Sequence, residues 1–138
     1  MRVVLDTNVL IASFVWRRRL APIFDAVRDG QVTPCFTGTT FSELKRTLLY
    51  PKFEAQLLKN RTTPEYITRL LSSRAHFAHG AYAVTEIKSD PSDNHILACA
   101  VSAQAEVIVS GDKHLLAIGS YRDIPIVAPE EFMRKIKK

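Results

Sequence analysis

The sequence has few of the residues that build disulfide frameworks, zinc sites or membrane spans. Only two of its 138 residues are cysteine, and neither has a CxxC or Cys/His ligand spacing around it. Cys35 and Cys99 both lie in apolar stretches, which favours buried free thiols. No apolar run approaches the ~20 residues that a membrane-spanning helix needs, and Asp6 ends the first run too early for a signal peptide. We therefore expect a cytoplasmic protein.

Low-complexity segments, internal repeats and linkers are also missing, so residues 1–138 are expected to form one domain. A composition of 46% hydrophobic and 24% charged residues is that of a globular protein. Nineteen Lys and Arg residues outnumber fourteen Asp and Glu residues, which gives a formal net charge of +5. This excess favours a polyanionic partner such as nucleic acid, although many soluble enzymes share it.

Hydrophobic periodicity predicts alternating strands and helices along most of the chain. Short apolar or β-branched runs indicate strands at residues 2–5, 31–36, 81–87, 106–109 and 124–127. Helical spacing indicates helices at residues 9–16, 20–28, 41–50, 53–58, 64–77, 91–103, 113–116 and from 129 onward. This alternation favours an α/β sandwich with a mainly parallel sheet.

Four acidic residues occupy positions where a parallel sheet could gather them. Asp6 ends the first predicted strand, and Asp112 follows the strand at 106–109. Ligands bind outside the carboxyl ends of strands in open parallel sheets. Asp93 lies in the first turn of one predicted helix, and Glu43 in the first half of another. If the four converge, their mutual repulsion favours binding of a hard divalent cation, which prefers oxygen ligands and can promote phosphodiester hydrolysis.

Each acid also has a purely structural interpretation. Asp6 and Asp112 could each cap the helix that follows. Glu43 could be a solvated helix residue. Asp93 could return a hydrogen bond within a capping box that begins at Asp90. The joint pattern of all four acids, rather than any one of them, favours a metal site.

The segments around these acids form a recognisable series. They read VVLDTNVLI at residues 3–11, TGTTFSEL at 37–44, LLYPKF at 48–53, DPSDNHILACA at 90–100 and VIVSGDKHLL at 107–116. Together they resemble the PIN domain family, and more narrowly its toxin-component branch related to VapC-type toxins. The resemblance runs nearly end to end. The four motifs that carry the acids are each weak alone, but in the same order and spacing they are specific together.

The resemblance implies a three-layer α/β/α sandwich and a Mg²⁺- or Mn²⁺-dependent endoribonuclease that acts on RNA. The implied metal-binding and catalytic residues are Asp6, Glu43, Asp93 and Asp112. The first three would be the main ligands, directly or through water, and the fourth an additional acid. Asn8 and Ser110 match positions where the family often keeps a supporting polar residue. The implied partner is a protein antitoxin that blocks the acidic pocket, and the implied assembly is a homodimer.

The sequence departs from the family pattern in two places. His114 stands where relatives frequently have another acid, which changes the surface charge more than the core quartet. Residues 37–40 are more polar than the usual sequence before the second acid. The histidines show no zinc-ligand spacing, and we interpret all four as core or surface residues: His76, His79, His95 and His114.

Several basic residues could bind an RNA phosphate path beside the acids: Arg17, Arg18, Arg19, Lys45 and Arg46. The arginine run could equally be a solvated loop, and the basic tail at 134–138 is better explained as a solvated helix end. Tyr50 could stack on bases. Phe14 and Trp16 are better explained by packing in the core or at an interface.

A different interpretation is a catalytically silent PIN module that binds RNA or a protein, but the presence of all four acids argues against it. A dehalogenase-like phosphatase would need an acid where Asn8 stands, and a receiver domain would need an acidic pair before Asp6. A flap-type DNA nuclease could use the same chemistry, although its arch and duplex-binding insertions have little room in 138 residues.

Overall fold

A mainly parallel sheet forms the centre of the molecule. A computed structural model describes residues 1–79 and 91–136. Its strands are β1 (Arg2–Leu5), β2 (Thr33–Phe36), β3 (His76–Phe77), β4 (Val107–Val109), β5 (Ser120–Tyr121) and β6 (Ile124–Val127). They are arranged in the order β3-β2-β1-β4-β6-β5, and only the β5–β6 pair is antiparallel among these described strands. The predicted strand at 81–87 and the predicted cap residue Asp90 lie outside the described residues.

Helices connect the strands and cover the sheet. They are α1 (Thr7–Ile11), α2 (Ala21–Arg28), α3 (Gly38–Leu48), α4 (Glu54–Lys59), α5 (Pro64–Arg74), α6 (Pro91–Ala103), α7 (Lys113–Ile118) and α8 (Pro129–Ile136). A π-helical turn at Ala12–Trp16 continues α1, so the two together cover the helix predicted at 9–16. Within the described ranges, none of the helices is long and apolar enough to cross a lipid bilayer.

The central strands divide their side chains between two hydrophobic clusters, because successive residues of a strand point to opposite faces. Val3 and Leu5 of β1 pack in one cluster with α1, α2, α3, α5 and α8. Val4 of the same strand packs in the other cluster with α6 and α7. Both faces of the sheet are therefore covered by helices, as parallel sheets require. The predicted three-layer α/β/α sandwich is confirmed.

Helix α5 is shorter than the helix predicted at 64–77. It ends at Arg74, and His76–Phe77 instead pairs in parallel with the end of β2. The ring of Phe77 lies 5.1 Å from the ring of Phe41 and 6.0 Å from that of Phe36. Strand pairing and aromatic packing here override the helical spacing of the apolar residues. The sequence alone could not show that residues 76–77 leave the helix to pair with β2. Strand β5 was not predicted, since two residues are too few to show a period.

Helix α3 begins at Gly38, three residues before the predicted start at 41. Its first turn is closed by a reciprocal capping box. The backbone N–H of Thr40 donates to Oγ1 of Thr37 at 3.2 Å, and the N–H of Thr37 donates to Oγ1 of Thr40 at 2.9 Å. The polar residues that depart from the family pattern thus fix the start of the helix that carries Glu43.

The cysteines are free and buried, as predicted. Burial raises the pKa of Cys35 and of Cys99 to about 11, so both thiols stay protonated near neutral pH. The thiol of Cys99 in α6 donates to the backbone oxygen of Cys35 in β2 at 3.5 Å. These cysteines therefore tie a helix to the sheet.

The order in which strands are added to the sheet reverses between the parallel strands β1 and β4. These two strands are neighbours, but β1 continues to β2 on one side while β4 continues to β6 on the other. Such a reversal leaves a crevice beyond the carboxyl ends of the two central strands. The residues that follow β1 and β4, Asp6 and Ser110, therefore stand side by side.

Candidate metal centre

Asp6 and Asp112 are linked through the hydroxyl of Ser110. The Ser110 Oγ donates to Oδ2 of Asp6 at 2.8 Å and accepts from the backbone N–H of Asp112 at 3.0 Å. Ser110 has no solvent-exposed surface. One buried hydroxyl thus fixes the spacing between two acids more than a hundred residues apart in the sequence, and the predicted supporting position of Ser110 lies directly against an acid.

The carboxyl group of Asp6 is held in an environment that disfavours its charge. Burial raises its pKa above the ordinary value of 3.8, the negative charge of Asp112 raises it further, and the hydrogen bond from Ser110 opposes both effects only in part. Asp6 stands at the N-cap position of α1, where the backbone N–H groups of Thr7 and Asn8 lower its pKa, although neither makes a well-formed capping hydrogen bond to its side chain. Weak capping of this kind does not offset the burial of the carboxyl group.

Asp112 has both of the roles considered from the sequence. Its Oδ1 accepts from the backbone N–H of His114 at 2.7 Å and of Leu115 at 3.4 Å, so it caps α7. The same side chain lines the cavity that contains the other acids. Capping fixes the orientation of the carboxylate and does not remove it from the site.

Asp93, in the first turn of α6, is only 4% exposed. Its carboxylate comes close to two groups that follow β4. One ligand atom from each of Asp93, Asp112 and His114 lies within 4.8 Å of the other two. His114 was not expected from the sequence to be part of a ligand set. The feature of the sequence that could have identified His114 is its position two residues after Asp112, in the helical turn that the Asp112 carboxylate caps.

Glu43 reaches the same cavity from α3 but has a partner of its own. Its Oε1 lies 2.7 Å from Nδ1 of His95, which follows Asp93 by two residues on α6. The side chain of Glu43 is 19% exposed and that of His95 41% exposed. The contact connects the two helices that carry the second and third acids, and sequence analysis did not identify it.

A cavity of about 320 Å³ brings the four predicted acids together. Its lining is mostly polar, and Asn8 and Tyr50 contribute to it as well. The lining residues are Asp6, Thr7, Asn8, Glu43, Arg46, Thr47, Tyr50, Asp93, Ile96 and Asp112. The structure thus places all four acids and Asn8 on one concave surface at the carboxyl edge of the sheet.

The basic residues predicted to bind RNA divide into two groups. Arg46 lines the acidic cavity. The others have contacts elsewhere: Arg17 lies 4.3 Å over the ring of Phe24, Arg18 5.5 Å over Trp16, Lys45 5.3 Å over Phe41, and Arg19 lies 3.9 Å from Glu130. Arg46 is therefore the member of this set that can contact a phosphate at the acids.

The donor atoms of the cavity fit a divalent cation. Carboxylate oxygens are the ligands that Mg²⁺ and Mn²⁺ bind in proteins. The raised pKa of Asp6 means that hydrogen bonds from the protein compensate its ionised form only in part, and a cation would supply the remainder. Asp6, Asp93 and Asp112 offer carboxylate oxygens to this cavity, and Glu43 contributes a fourth carboxylate that contacts His95.

Comparison with known proteins gives one family and one fold. A family model described as PIN domain matches residues 2–114. Among solved structures, the chain is similar to the crystal structure of VapBC2 from Rickettsia felis bound to a DNA fragment from their promoter, with a TM-score of 0.61. The two share 12% identity over 93% of this chain and 98% of that chain, so this likeness concerns the fold. No curated protein matches the sequence.

Proposed function

The chain belongs to the PIN domain family, and from that membership we propose that it is a divalent-metal-dependent endoribonuclease that hydrolyses phosphodiester bonds of single-stranded or structured RNA. The observation that supports the proposal best is the convergence of Asp6, Glu43, Asp93 and Asp112 on one cavity. Four carboxylates from distant parts of the sequence would repel one another unless their site serves to bind a cation.

The protein groups have distinct tasks in this reaction. When bound, Mg²⁺ or Mn²⁺ offsets charge on the phosphoryl group and lowers the pKa of water. Asp6, Asp93 and Asp112 would hold the ion, and Ser110 fixes the orientation of Asp6 through its hydrogen bond. Arg46 lines the cavity and can bind a neighbouring phosphate of the RNA.

Tyr50 extends the same surface toward the bases. The residue is 45% exposed and lines the cavity, and its ring lies parallel to that of Phe53 at 6.4 Å between centroids, so an RNA base can extend this stack. Phe14, by contrast, is 2% exposed and belongs to the core. Trp16 packs edge-on against Phe53 at 6.4 Å between ring centroids.

Cleavage of a mixed RNA pool tests the proposed activity. We expect fragments to appear with Mn²⁺ or Mg²⁺, to disappear with a chelator, and to return when the cation is restored, because the carboxylates alone cannot activate water. Fragment production is measured by gel electrophoresis of end-labelled RNA. A protein that binds the pool with and without chelator but never cleaves it would be the catalytically silent module instead.

We further propose that a protein antitoxin binds beside the active-site cavity and blocks it. An apolar groove of about 280 Å³, formed by the end of α3, α4 and the start of α5, shares Tyr50 with the acidic cavity. Leu49 and Leu58 line it and remain 67% and 72% exposed. Exposed leucines clustered in one groove favour a protein partner.

Leu58→Asp is expected to weaken binding of the antitoxin at least about tenfold, because it places a charge in an apolar contact. The affinity is measured by titration of purified antitoxin from the same operon. Tyr66→Asp is the matched control, since Tyr66 is 54% exposed but lines a different cavity. RNA cleavage by both variants should stay unchanged. Equal affinities of the two variants for the antitoxin would place its binding surface elsewhere.

A further inference from the structure

His114 occupies an unusual position for a surface histidine. Its side chain is 72% exposed, yet a ring nitrogen lies within 4.8 Å of carboxylate oxygens of both Asp93 and Asp112. Its Nδ1 is 3.6 Å from Oδ1 of Asp112, which is longer than a hydrogen bond. The imidazole therefore stands at the open side of two acids, one of them almost fully buried.

The backbone fixes this position. The N–H of His114 donates to Oδ1 of Asp112 at 2.7 Å, so residue 114 is held in the first turn of α7 by the carboxylate it faces. The cap orients Asp112 and its histidine neighbour together. The exposed imidazole can rotate, so its nitrogen can join the two carboxylates around one ion.

The other two acids do not belong to this group, and each has a contact of its own. Oδ2 of Asp6 accepts from Ser110, and Oε1 of Glu43 contacts His95 at 2.7 Å. Among the described residues, the group whose ligand atoms lie within 4.8 Å of one another consists of two carboxylates and one imidazole. This donor set differs from the all-carboxylate set that the family resemblance implied.

We propose that His114 is a metal ligand, and that with Asp93 and Asp112 it makes a mixed nitrogen–oxygen site that prefers a first-row transition-metal dication such as Mn²⁺ over Mg²⁺. Mg²⁺ favours oxygen ligands in near-octahedral geometry. Mn²⁺ also favours oxygen, but it begins the transition series, along which affinity for nitrogen ligands rises toward copper, so an imidazole raises its affinity relative to that of Mg²⁺. The metal preference of the proposed nuclease therefore depends on residue 114, a step that rests on the function proposed above.

Pulsed electron paramagnetic resonance of Mn²⁺ bound to the full chain tests the ligand directly. We expect nitrogen hyperfine modulation in the wild type and its loss in His114→Gln. His95→Gln is the control, because His95 is the other imidazole near the acids and contacts Glu43. Modulation that persists in His114→Gln and disappears in His95→Gln would overturn the proposal, as would its absence from the wild type.

Calorimetric titration with Mn²⁺ and with Mg²⁺ measures the preference. His114→Asp restores an all-oxygen set, and we expect it to lower the ratio of Mn²⁺ to Mg²⁺ affinity by about tenfold or more. An unchanged ratio would contradict the proposal. Both readouts are independent of RNA: nitrogen coordination without RNA cleavage would overturn only the proposed activity, and cleavage without nitrogen coordination would overturn only this inference. Residue 114 is exposed, so both variants should fold, which circular dichroism checks.

Discussion

Asp93→Asn is expected to lower metal-dependent RNA cleavage by about 10²–10³-fold, or roughly 3–4 kcal/mol of transition-state stabilisation. Asp93 is 4% exposed and lies against Asp112 and His114. Asparagine keeps the size of the side chain but removes one negative charge and one carboxylate oxygen. The change therefore weakens metal binding with little effect on packing. The measurement is kcat/KM on a labelled RNA that the wild type cleaves, at fixed Mn²⁺ concentration.

Asp25→Asn is the matched control for that loss. Asp25 lies on α2 in an exposed ion pair with Arg28 at 3.4 Å, and such pairs contribute less than about 1 kcal/mol to stability. Its kcat/KM should stay within about twofold of the wild type, because the site is untouched. If Asp93→Asn cleaved RNA as fast as Asp25→Asn, the acidic cavity would not be the active site.

Asp6→Asn is expected to have opposite effects on activity and on stability. Cleavage should fall by about 10²-fold through loss of a ligand charge. The metal-free protein should become more stable near neutral pH, because burial makes the ionised carboxylate of Asp6 costly in the folded state. The amide oxygen of an asparagine at position 6 can still accept the hydrogen bond from Ser110, so the scaffold keeps that contact.

The pH dependence gives the sign of the stability effect. The folded-state pKa of Asp6 is raised above the ordinary value of 3.8, which we take for the unfolded chain. The contribution of Asp6 to the free energy of unfolding of the wild type therefore falls as pH rises from 3.8 through that raised pKa. Asp6→Asn lacks this decrease.

Thermal unfolding in chelator at a series of pH values measures the difference. The stability advantage of Asp6→Asn should be smallest below the unfolded pKa and grow until the wild-type carboxyl is fully ionised. Excess Mg²⁺ should then stabilise the wild type more than the variant. A wild type that unfolds at a higher temperature than Asp6→Asn in chelator at neutral pH would contradict the explanation based on burial.

The sequence predicted the positions of the acids because local signals mark the elements that carry them. An apolar run stops at Asp6, and another stops just before Ser110 and Asp112. Pro91 begins the helix that carries Asp93 at the predicted residue. Because the carboxyl ends of parallel strands meet at one edge of the sheet, these strand and helix ends predict that the acids share that edge, without any knowledge of tertiary contacts.

The contacts within the site could not be predicted in the same way. The pairing of Glu43 with His95 depends on how α3 packs against α6, since the residues are 52 apart in the sequence and share no periodic pattern. The same holds for strand β3, whose pairing with β2 is a tertiary preference. His114 was accessible to local reasoning, because a cap at Asp112 places it in the first helical turn, but its distance to Asp93 was not.

Strand β6 has a role that its side chains do not show. The backbone oxygen of Val127 accepts the N–H of Ser110 at 3.0 Å, while on the other flank the N–H of Asp6 donates to the oxygen of Val109 at 3.0 Å. The segment that carries Ser110 and Asp112 is thus held from both sides, and the contact from Val127 comes from beyond residues 2–114, which the family model matches. Substitutions in Ile124–Val127 that shift this backbone should consequently disturb the acidic cavity, although none of these four residues lines it.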